Sequence, residues 1–145
     1  MNKIAQIIII LFLSISCNKT KTAAKRLDGK WKVISYSKTD NEGLTEKTTD
    51  VSGELNLISH SSSDTTNTYT MQIAYNFPYD MGNIESNGSY SILNKGNYIV
   101  FEQAPLSVGT ATFSTYRILT LTNSDLQIEG GDSLGNINTF LFRKL

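Results

Sequence analysis

Serine, histidine and aspartate, the residue types of a catalytic triad, lie together in one short stretch of this 145-residue sequence. The only histidine, His60, is followed directly by Ser61, Ser62, Ser63 and Asp64. A triad needs a nucleophile, a base and an orienting carboxylate that are held in place by the fold, whereas these residues crowd into one polar turn. We therefore interpret the stretch as a solvated turn and predict that the protein is not an enzyme.

The sequence does not contain the usual patterns of metal, phosphate or nucleic-acid binding. One histidine, one cysteine and scattered carboxylates do not have the spacing of metal ligands, so we predict no metal site. Gly130 and Gly131 precede a predicted strand, whereas a phosphate-binding loop opens a helix. Thirteen basic residues balance thirteen acidic ones without a basic stripe. The sequence thus predicts neither a cofactor nor a nucleic-acid partner.

The remaining reactive residue is Cys17, the only cysteine in the chain. It follows a basic start and an apolar run from Ile4 to Leu13, which is too short for the roughly 20 residues that span a bilayer. A basic start before a short apolar run is typical of an export signal. Secreted chains that depend on disulfides carry an even number of cysteines, so the single thiol indicates another role.

The residues before Cys17 resemble the lipobox of bacterial lipoproteins, because Ser14-Ile15-Ser16 places small residues next to the cysteine. The resemblance implies cleavage before Cys17 and acylation with a fatty acid such as palmitate, which would anchor the protein to a bacterial membrane. Leu13 lies one position further from the cysteine than the usual leucine. Because Ser14 and Ser16 also suit an ordinary signal peptidase, simple secretion stays as the alternative.

The chain divides into a signal (1–16), a lipidated cysteine with a flexible tether (17–26) and one barrel domain (27–145). Residues 18–26 are polar and basic, with at most one helical turn near Ala23, and their cations either meet anionic lipid headgroups or are solvated. The signal resembles that of Bacteroidetes lipoproteins, in which surface export goes with acidic residues after the cysteine. No acidic residue follows Cys17 directly, so we expect an outer-membrane anchor that faces the periplasm.

From Asp28 onward the sequence has the period-two alternation of β-strands and no apolar stripe of helical period. Eight runs are predicted: Gly29–Lys38, Gly53–His60, Thr68–Phe77, Ser86–Leu93, Tyr98–Gln103, Ala111–Thr122, Asp125–Gly130 and Asn136–Lys144. The connections Thr39–Ser52, Pro78–Glu85 and Ala104–Thr110 are long and largely alternate with short ones. In an up-and-down barrel successive connections lie at opposite ends. We therefore predict an all-β, single eight-stranded antiparallel barrel with long loops at one end.

The start of the first strand, Gly29-Lys30-Trp31, holds the only tryptophan. A Gly-x-Trp that opens an all-β chain of short strands resembles the lipocalin and lipocalin-like families. The resemblance implies that Trp31 plugs one end of the barrel and that a basic residue of the last strand, Arg143 or its neighbour Lys144, packs over the indole.

Strand alternation predicts which side chains line the barrel interior. The predicted lining residues are Leu55, Leu57, Met71, Ile73, Tyr75, Tyr90 and Ile92, with Tyr69, Phe77 and Phe113 as further aromatic candidates and Ser35, Ser59, Gly88 and Thr115 as small residues that leave space. None of them is charged, so the leading hypothesis is an envelope protein that binds a small apolar or amphipathic molecule. The alternative is a filled barrel that acts as an accessory or inhibitor module and binds another envelope protein through its loops.

Overall fold

A computed structural model describes residues 19–60, 66–103 and 111–145, which form a helix, nine strands and one 3-10 turn. The helix, α1, spans residues 19–27. The strands are β1 (Gly29–Thr39), β2 (Thr45–Thr48), β3 (Val51–Ile58), β4 (Thr68–Asn76), β5 (Met81–Leu93), β6 (Tyr98–Gln103), β7 (Thr112–Leu121), β8 (Asp125–Gly131) and β9 (Ile137–Lys144). The 3-10 turn, Asn94–Gly96, joins β5 to β6.

Eight strands close into an antiparallel up-and-down barrel in the order β1-β3-β4-β5-β6-β7-β8-β9, and β9 pairs again with β1. The closing pair runs from Trp31 opposite Lys144 to Thr39 opposite Ile137. Closure of this kind removes the free edges that would otherwise expose unpaired backbone groups. The predicted fold class, all-β with a single eight-stranded antiparallel up-and-down barrel, is confirmed.

The short strand β2 belongs to the same barrel wall as β3. β2 pairs with the second half of β1, and β3 pairs with the first half, so the two act as one interrupted strand. Thr48 fixes the interruption, because its hydroxyl donates to the Asn76 carbonyl at 2.7 Å and accepts from the Asp50 backbone N–H at 3.0 Å. The prediction that Thr39–Ser52 is a long loop was therefore wrong.

The connection after β4 is also shorter than predicted. β5 begins at Met81 and leaves only residues 77–80 as a turn, where the sequence suggested a loop over Pro78–Glu85. Gly82 and Asn83 have low strand propensity, but the cross-strand pairs Tyr75–Gly82 and Ala74–Asn83 hold them in the sheet. The third predicted long loop, Ala104–Thr110, lies outside the described residues.

The two ends of the barrel carry different elements, and we name them accordingly. The helix end holds α1 and the connections after β5 and β7 at residues 94–97 and 122–124. The loop end holds the turns at residues 40–44, 77–80 and 132–136. Because consecutive strands run in opposite directions, this division follows directly from the strand order.

Helix α1 covers the barrel where the sequence suggested a flexible tether. Ala23 and Leu27, four residues apart on one helix face, are 7% and 0% exposed. The Asp28 backbone N–H donates to the Ala24 carbonyl at 3.0 Å and completes the last turn of the helix. A helix this short is marginal in water, so its packing against the barrel must stabilise it.

Candidate ligand-binding site

The helix end of the barrel interior is plugged by Trp31. The indole is 0% exposed, and its Nε1 donates to the Leu27 carbonyl at 2.7 Å, which links the plug to the end of α1. Lys144 Nζ lies 5.1 Å from the centre of the indole and donates to the Arg26 carbonyl at 3.0 Å. Gly29, at φ 119°, leaves room for this lysine, because a Cβ there would lie 3.2 Å from Lys144 Cε.

Arg143 does not have the position over Trp31 that the family resemblance implied. It pairs across the sheet with Lys32 and Asp125, on the outer face, and its side chain is 65% exposed. Its Nε lies 3.6 Å from Asp125 Oδ1. Alternation along β9 explains the correction, since Phe142 and Lys144 share the inner face and Arg143 points away from it.

The seven predicted lining residues all lie in the barrel core. Leu55, Leu57, Met71, Ile73 and Tyr90 are buried, and Tyr75 and Ile92 are partly buried and pack against the buried cluster. Their role in ligand binding stays a prediction. Phe113, a further candidate, is 63% exposed on the outer face of β7, and Thr115 is exposed on the same face, so the assignment of both to the interior was wrong.

Aromatic rings fill the interior towards the loop end. Tyr36 stacks on Phe140 at 4.6 Å between ring centres and meets Tyr75 edge-on at 5.0 Å. A Cβ on Gly82 would lie 2.7 Å from Tyr75 Oη, and one on Gly130 would lie 2.6 Å from a ring carbon of Tyr116. Gly82 and Gly130 therefore accommodate tyrosine rings, because neither carries a side chain at these close approaches.

Part of the inner face is nevertheless open to solvent at the loop end. Register pairs Tyr75 with Gly82, Ile73 with Ile84, and buried Phe101 with Ser114, so these residues face inwards. Inward-facing residues in this region are only half-buried, or exposed in the case of Ser114: Tyr75, Ile84, Ser86, Gln103, Ser114 and Tyr116. We call this region the loop-end cup. Its floor holds buried Tyr69, whose hydroxyl shares a hydrogen bond with the Ser86 hydroxyl.

The tyrosines around the cup are held in their neutral form. Burial raises the pKa values of Tyr36, Tyr69 and Tyr116 above the ordinary value for a phenol. Tyr36 Oη donates to the Asn138 side-chain oxygen at 2.6 Å. The hydroxyls are thus uncharged hydrogen-bonding groups among the other neutral side chains of the cup, which suits a neutral ligand.

One of the carboxylates at the loop end is that of Asp132, in the turn after β8. Hydrogen bonds from the Asn136 side chain and backbone, at 2.9 and 3.0 Å, lower its pKa and keep it ionised. The Leu134 backbone N–H donates to the same carboxylate at 2.9 Å. These contacts turn the carboxylate towards its own loop, so it stabilises the turn.

The described part of the chain contains neither a metal site nor a membrane-spanning helix. Residues 19–60, 66–103 and 111–145 contain no group of three or more side chains placed to hold a metal ion. Among the same residues, no helix is long and apolar enough to cross a bilayer. His60 is exposed, whereas Ser61, Ser62, Ser63 and Asp64 lie outside the described residues, as does Cys17.

Five residues of the cup were not among the predicted lining residues: Ile84, Ser86, Gln103, Ser114 and Tyr116. The predicted strand began at Ser86, so Ile84 was placed in a loop. Tyr116 belongs to a predicted strand, but the register shift after Ile118 in β7 hides its alternation in sequence. The alternation of Ile84, Ser86, Gly88 and Tyr90 was the sequence pattern that indicates that Ile84 and Ser86 share the inward face of Tyr90.

The sequence matches no known family profile and no curated protein. Several solved barrels are similar in fold. A redesigned β-barrel, mFAP1, bound to DFHBI, is 18% identical with a TM-score of 0.51 over 84% of this chain and 98% of that one. A de novo designed fluorescence-activating β-barrel is 13% identical with a TM-score of 0.51 over 85% and 97%. A bovine odorant-binding protein triple mutant is 15% identical with a TM-score of 0.43 over 83% and 74%.

These similarities bear on the fold. At identities this low, the two designed barrels support the closed barrel described above and assign no activity to this chain.

Proposed function

We propose that this protein is a membrane-anchored lipoprotein of the bacterial cell envelope whose barrel binds a small apolar or amphipathic molecule and catalyses no reaction. The observation that carries the binding proposal is the loop-end cup, where inward-facing Tyr75, Ile84, Ser86 and Tyr116 are reached by solvent. Concave, mostly apolar sites with a few polar groups are typical of small-molecule binding.

The two halves of the interior restrict where a ligand lies. Leu55 and Leu57, towards the helix end, are 0% exposed and belong to the packed core, so a ligand reaching them would have to displace other side chains. The residues of the cup are less completely buried, so a ligand there would displace fewer side chains. We therefore place the apolar part of the ligand against Ile84 and Tyr116 and its polar group near the Ser86 and Tyr75 hydroxyls.

The ligand class follows from the absence of a counter-charge. The inward-facing residues of the cup that the structure describes are apolar or neutral, so an ionic ligand would lose hydration without gaining an ion pair. By analogy, the similar designed barrel mFAP1 is bound to the small molecule DFHBI.

Titration with an apolar fluorescent dye such as Nile red tests the cup. Ile84→Trp fills the half-buried wall, and we expect at least about tenfold weaker binding, since the added volume occupies the ligand's place. Leu119→Trp, in β7 at 39% exposure and outside the cup, is the matched control and should bind as wild type does. Equal binding by all three proteins would show that the dye does not enter the cup.

Native mass spectrometry of protein from its own host would identify a retained ligand. If neither a co-purified molecule nor dye binding is found, the barrel does not bind a small molecule. The second candidate function, given below, then replaces ligand binding.

The anchor is proposed from Cys17, with the protein at the outer membrane and facing the periplasm. We expect Cys17→Ala to leave the protein soluble or as uncleaved precursor, because acyl chains provide the attachment. Metabolic labelling with palmitate in the host measures this directly. Label that persists in the variant would refute acylation of this thiol.

A second candidate, an accessory or inhibitor module, is favoured by one observation. Large apolar side chains are exposed in the turns of the loop end and at the start of β5: Leu44, Tyr79, Met81 and Leu134 are 66%, 94%, 78% and 76% exposed. Exposed apolar residues that share one end of a protein often mark a protein interface. Replacement of Tyr79 and Leu134 by serine would abolish capture of an envelope partner and leave dye binding unchanged.

A further inference from the structure

The balanced charges of the chain are separated between the two ends of the barrel. The helix end carries five exposed cations in α1 and the 3-10 turn: Lys19, Lys21, Lys25, Arg26 and Lys95. The turns of the loop end, with β2 and the residues that flank it, carry six carboxylates: Asp40, Glu42, Glu46, Asp50, Asp80 and Asp132. Lys38 and Lys47 are the cations among these loop-end residues, and Lys38 lies 3.9 Å from Asp80. One end is therefore basic and the other acidic.

A groove of about 450 Å³ lies at the basic end between α1 and the barrel. Lys19, Arg26 and Lys95 line its rim, and Ala23 and Leu121 contribute apolar surface. Gly96 allows the close approach of the turn to the helix, since a Cβ there would lie 2.7 Å from Ala23 Cβ. Three cations around a partly apolar groove match an anionic headgroup joined to an acyl chain.

The three cations of the groove have no ion pair within the described part of the chain. The ion pairs found there join Lys38 to Asp80, Arg117 to Glu129 and Arg143 to Asp125. Asp28, the acidic residue next to α1, accepts a hydrogen bond from the Ser59 backbone N–H at 2.7 Å. Asp125 is engaged by Arg143, and Asp64 lies outside the described residues. The basic charge at the groove is thus available to an external anion.

The position of α1 in the chain adds a geometric argument. Residue 19, where the described helix begins, is two residues from Cys17, a distance of at most about 7 Å. Because α1 is packed on the barrel, the proposed anchor would hold the helix end close to the membrane. This step depends on the proposed lipid anchor, whereas the charge separation and the groove do not.

We propose that the helix end docks on a bilayer surface that contains anionic phospholipid, with a headgroup phosphate in the groove between Lys19, Arg26 and Lys95. The acidic loop end, which an anionic surface repels, points away from the membrane. The loop-end cup consequently opens towards the aqueous space, and ligands reach it from there and not from the lipid phase.

Tryptophan reporters at the two ends test this orientation. Asn97→Trp reports on the helix end and Leu134→Trp on the loop end, and wild type, with its single buried Trp31, gives the background. The protein is purified from host membranes as it is processed and placed in vesicles of phosphatidylcholine with or without phosphatidylglycerol, with a quencher attached at the headgroup. We expect the Asn97→Trp reporter to be quenched more strongly than the Leu134→Trp reporter, and several-fold more strongly in the anionic vesicles than in the neutral ones.

Two sets of charge variants test whether the cations of the groove make the contact with the anionic lipid. Lys19→Gln/Arg26→Gln/Lys95→Gln should abolish the additional quenching, whereas Lys32→Gln/Lys38→Gln/Lys47→Gln, with the same change in net charge, should not. Equal quenching in neutral vesicles, stronger quenching of the Leu134→Trp reporter, or equal effects of the two triple variants would each overturn the proposal.

The mass of the purified protein separates failure of the anchor from failure of the docking surface. If no acyl chains are present, the anchor proposal fails, and binding of the free protein to the same vesicles is then titrated. Loss of three cations should weaken that binding about 100-fold, because each basic residue near an anionic surface contributes about fivefold. Absence of any preference for phosphatidylglycerol would overturn the docking proposal in either case.

Discussion

The two ends of the barrel interior are built from different residues and do different things. At the helix end, Trp31, Leu27 and Leu55 are 0% exposed, and the indole nitrogen has its hydrogen bond. At the loop end, Tyr75 and Tyr116 are half-buried and surround a cup that solvent reaches. The helix end is fully packed and stabilises the fold, whereas the loop end, where we propose that a ligand binds, is less completely packed.

The largest expected effect is at the plug. Trp31→Ala should lower the free energy of unfolding by about 3–5 kcal/mol, the usual cost of removing a buried aromatic side chain. Tyr75→Ala at the loop end should cost less than half as much, since its ring is partly exposed. Urea unfolding of both variants measures the difference. Equal losses would show that the two ends are packed alike.

A pair of leucines gives the next largest contrast. Leu27→Ala should cost about 2–5 kcal/mol, because this residue fixes α1 to the barrel and is 0% exposed. Leu44→Ala, in a loop-end turn at 66% exposure, should change stability by less than about 0.5 kcal/mol. If Leu27→Ala behaved like Leu44→Ala in chemical unfolding, α1 would not be part of the folded core.

Alanine substitutions at two glycines distinguish the cost of backbone strain from the cost of disturbing the packing of α1. Gly43 and Gly96 have φ angles of 86° and 92°, so alanine at either should cost about 1–2 kcal/mol in backbone strain. A Cβ at Gly96 would also press on Ala23, at 2.7 Å, whereas nothing lies within 4 Å of one at Gly43. Gly96→Ala should therefore be the more destabilising change, and Ala23→Gly should recover part of the difference. Thermal unfolding of the single and double variants is the measurement.

The smallest effect concerns pH and the buried Tyr90. Burial raises the pKa of Tyr90 from 10.0 to about 12. The nearby Ser59 side chain offsets part of this rise, although it forms no hydrogen bond with Tyr90 Oη. The unfolded chain therefore loses the phenol proton at lower pH than the folded one, so stability falls as pH rises from 10.0 to about 12.

Tyr90→Phe should flatten this alkaline decline and leave stability near neutral pH almost unchanged, because the Tyr90 hydroxyl has no hydrogen-bond partner among the described residues. Urea unfolding at increasing alkaline pH provides the test. An identical decline in the variant would assign the titration to other tyrosines, such as Tyr36, whose pKa is also raised by burial.

The sequence predicted most of the barrel because strand alternation is a local property. Thr68–Asn76 alternates strictly, and its observed burial follows the same period. β2 was missed because Thr45-Glu46-Lys47-Thr48 has no apolar face, and only its pairing with β1 makes it a strand. Helix α1 was missed because its inward face consists of Ala23 and Leu27 alone, and contacts with the barrel stabilise it.

The site was predictable only in part, for a related reason. Alternation tells which face of the sheet a residue is on, and it correctly placed Leu55 and Tyr75 on the inner one. It does not tell how far along the barrel axis a residue lies, and that position decides whether other side chains cover it. Alternation places Ile84 and Ser86 on the inner face, but their position at the loop end follows from the pairing of β5 with β4, which the sequence alone does not supply.

The pairing of the first barrel strand with the last has a kinetic consequence. Contacts such as Tyr36 Oη with Asn138, 102 residues apart, form only after the chain has closed a very long loop, and such topologies fold slowly. Until β9 docks, β1 keeps an unpaired edge and Trp31 lacks Lys144. A chain released without its last strand would expose a row of free backbone groups to self-association, so aggregation during synthesis should depend chiefly on how quickly β9 arrives.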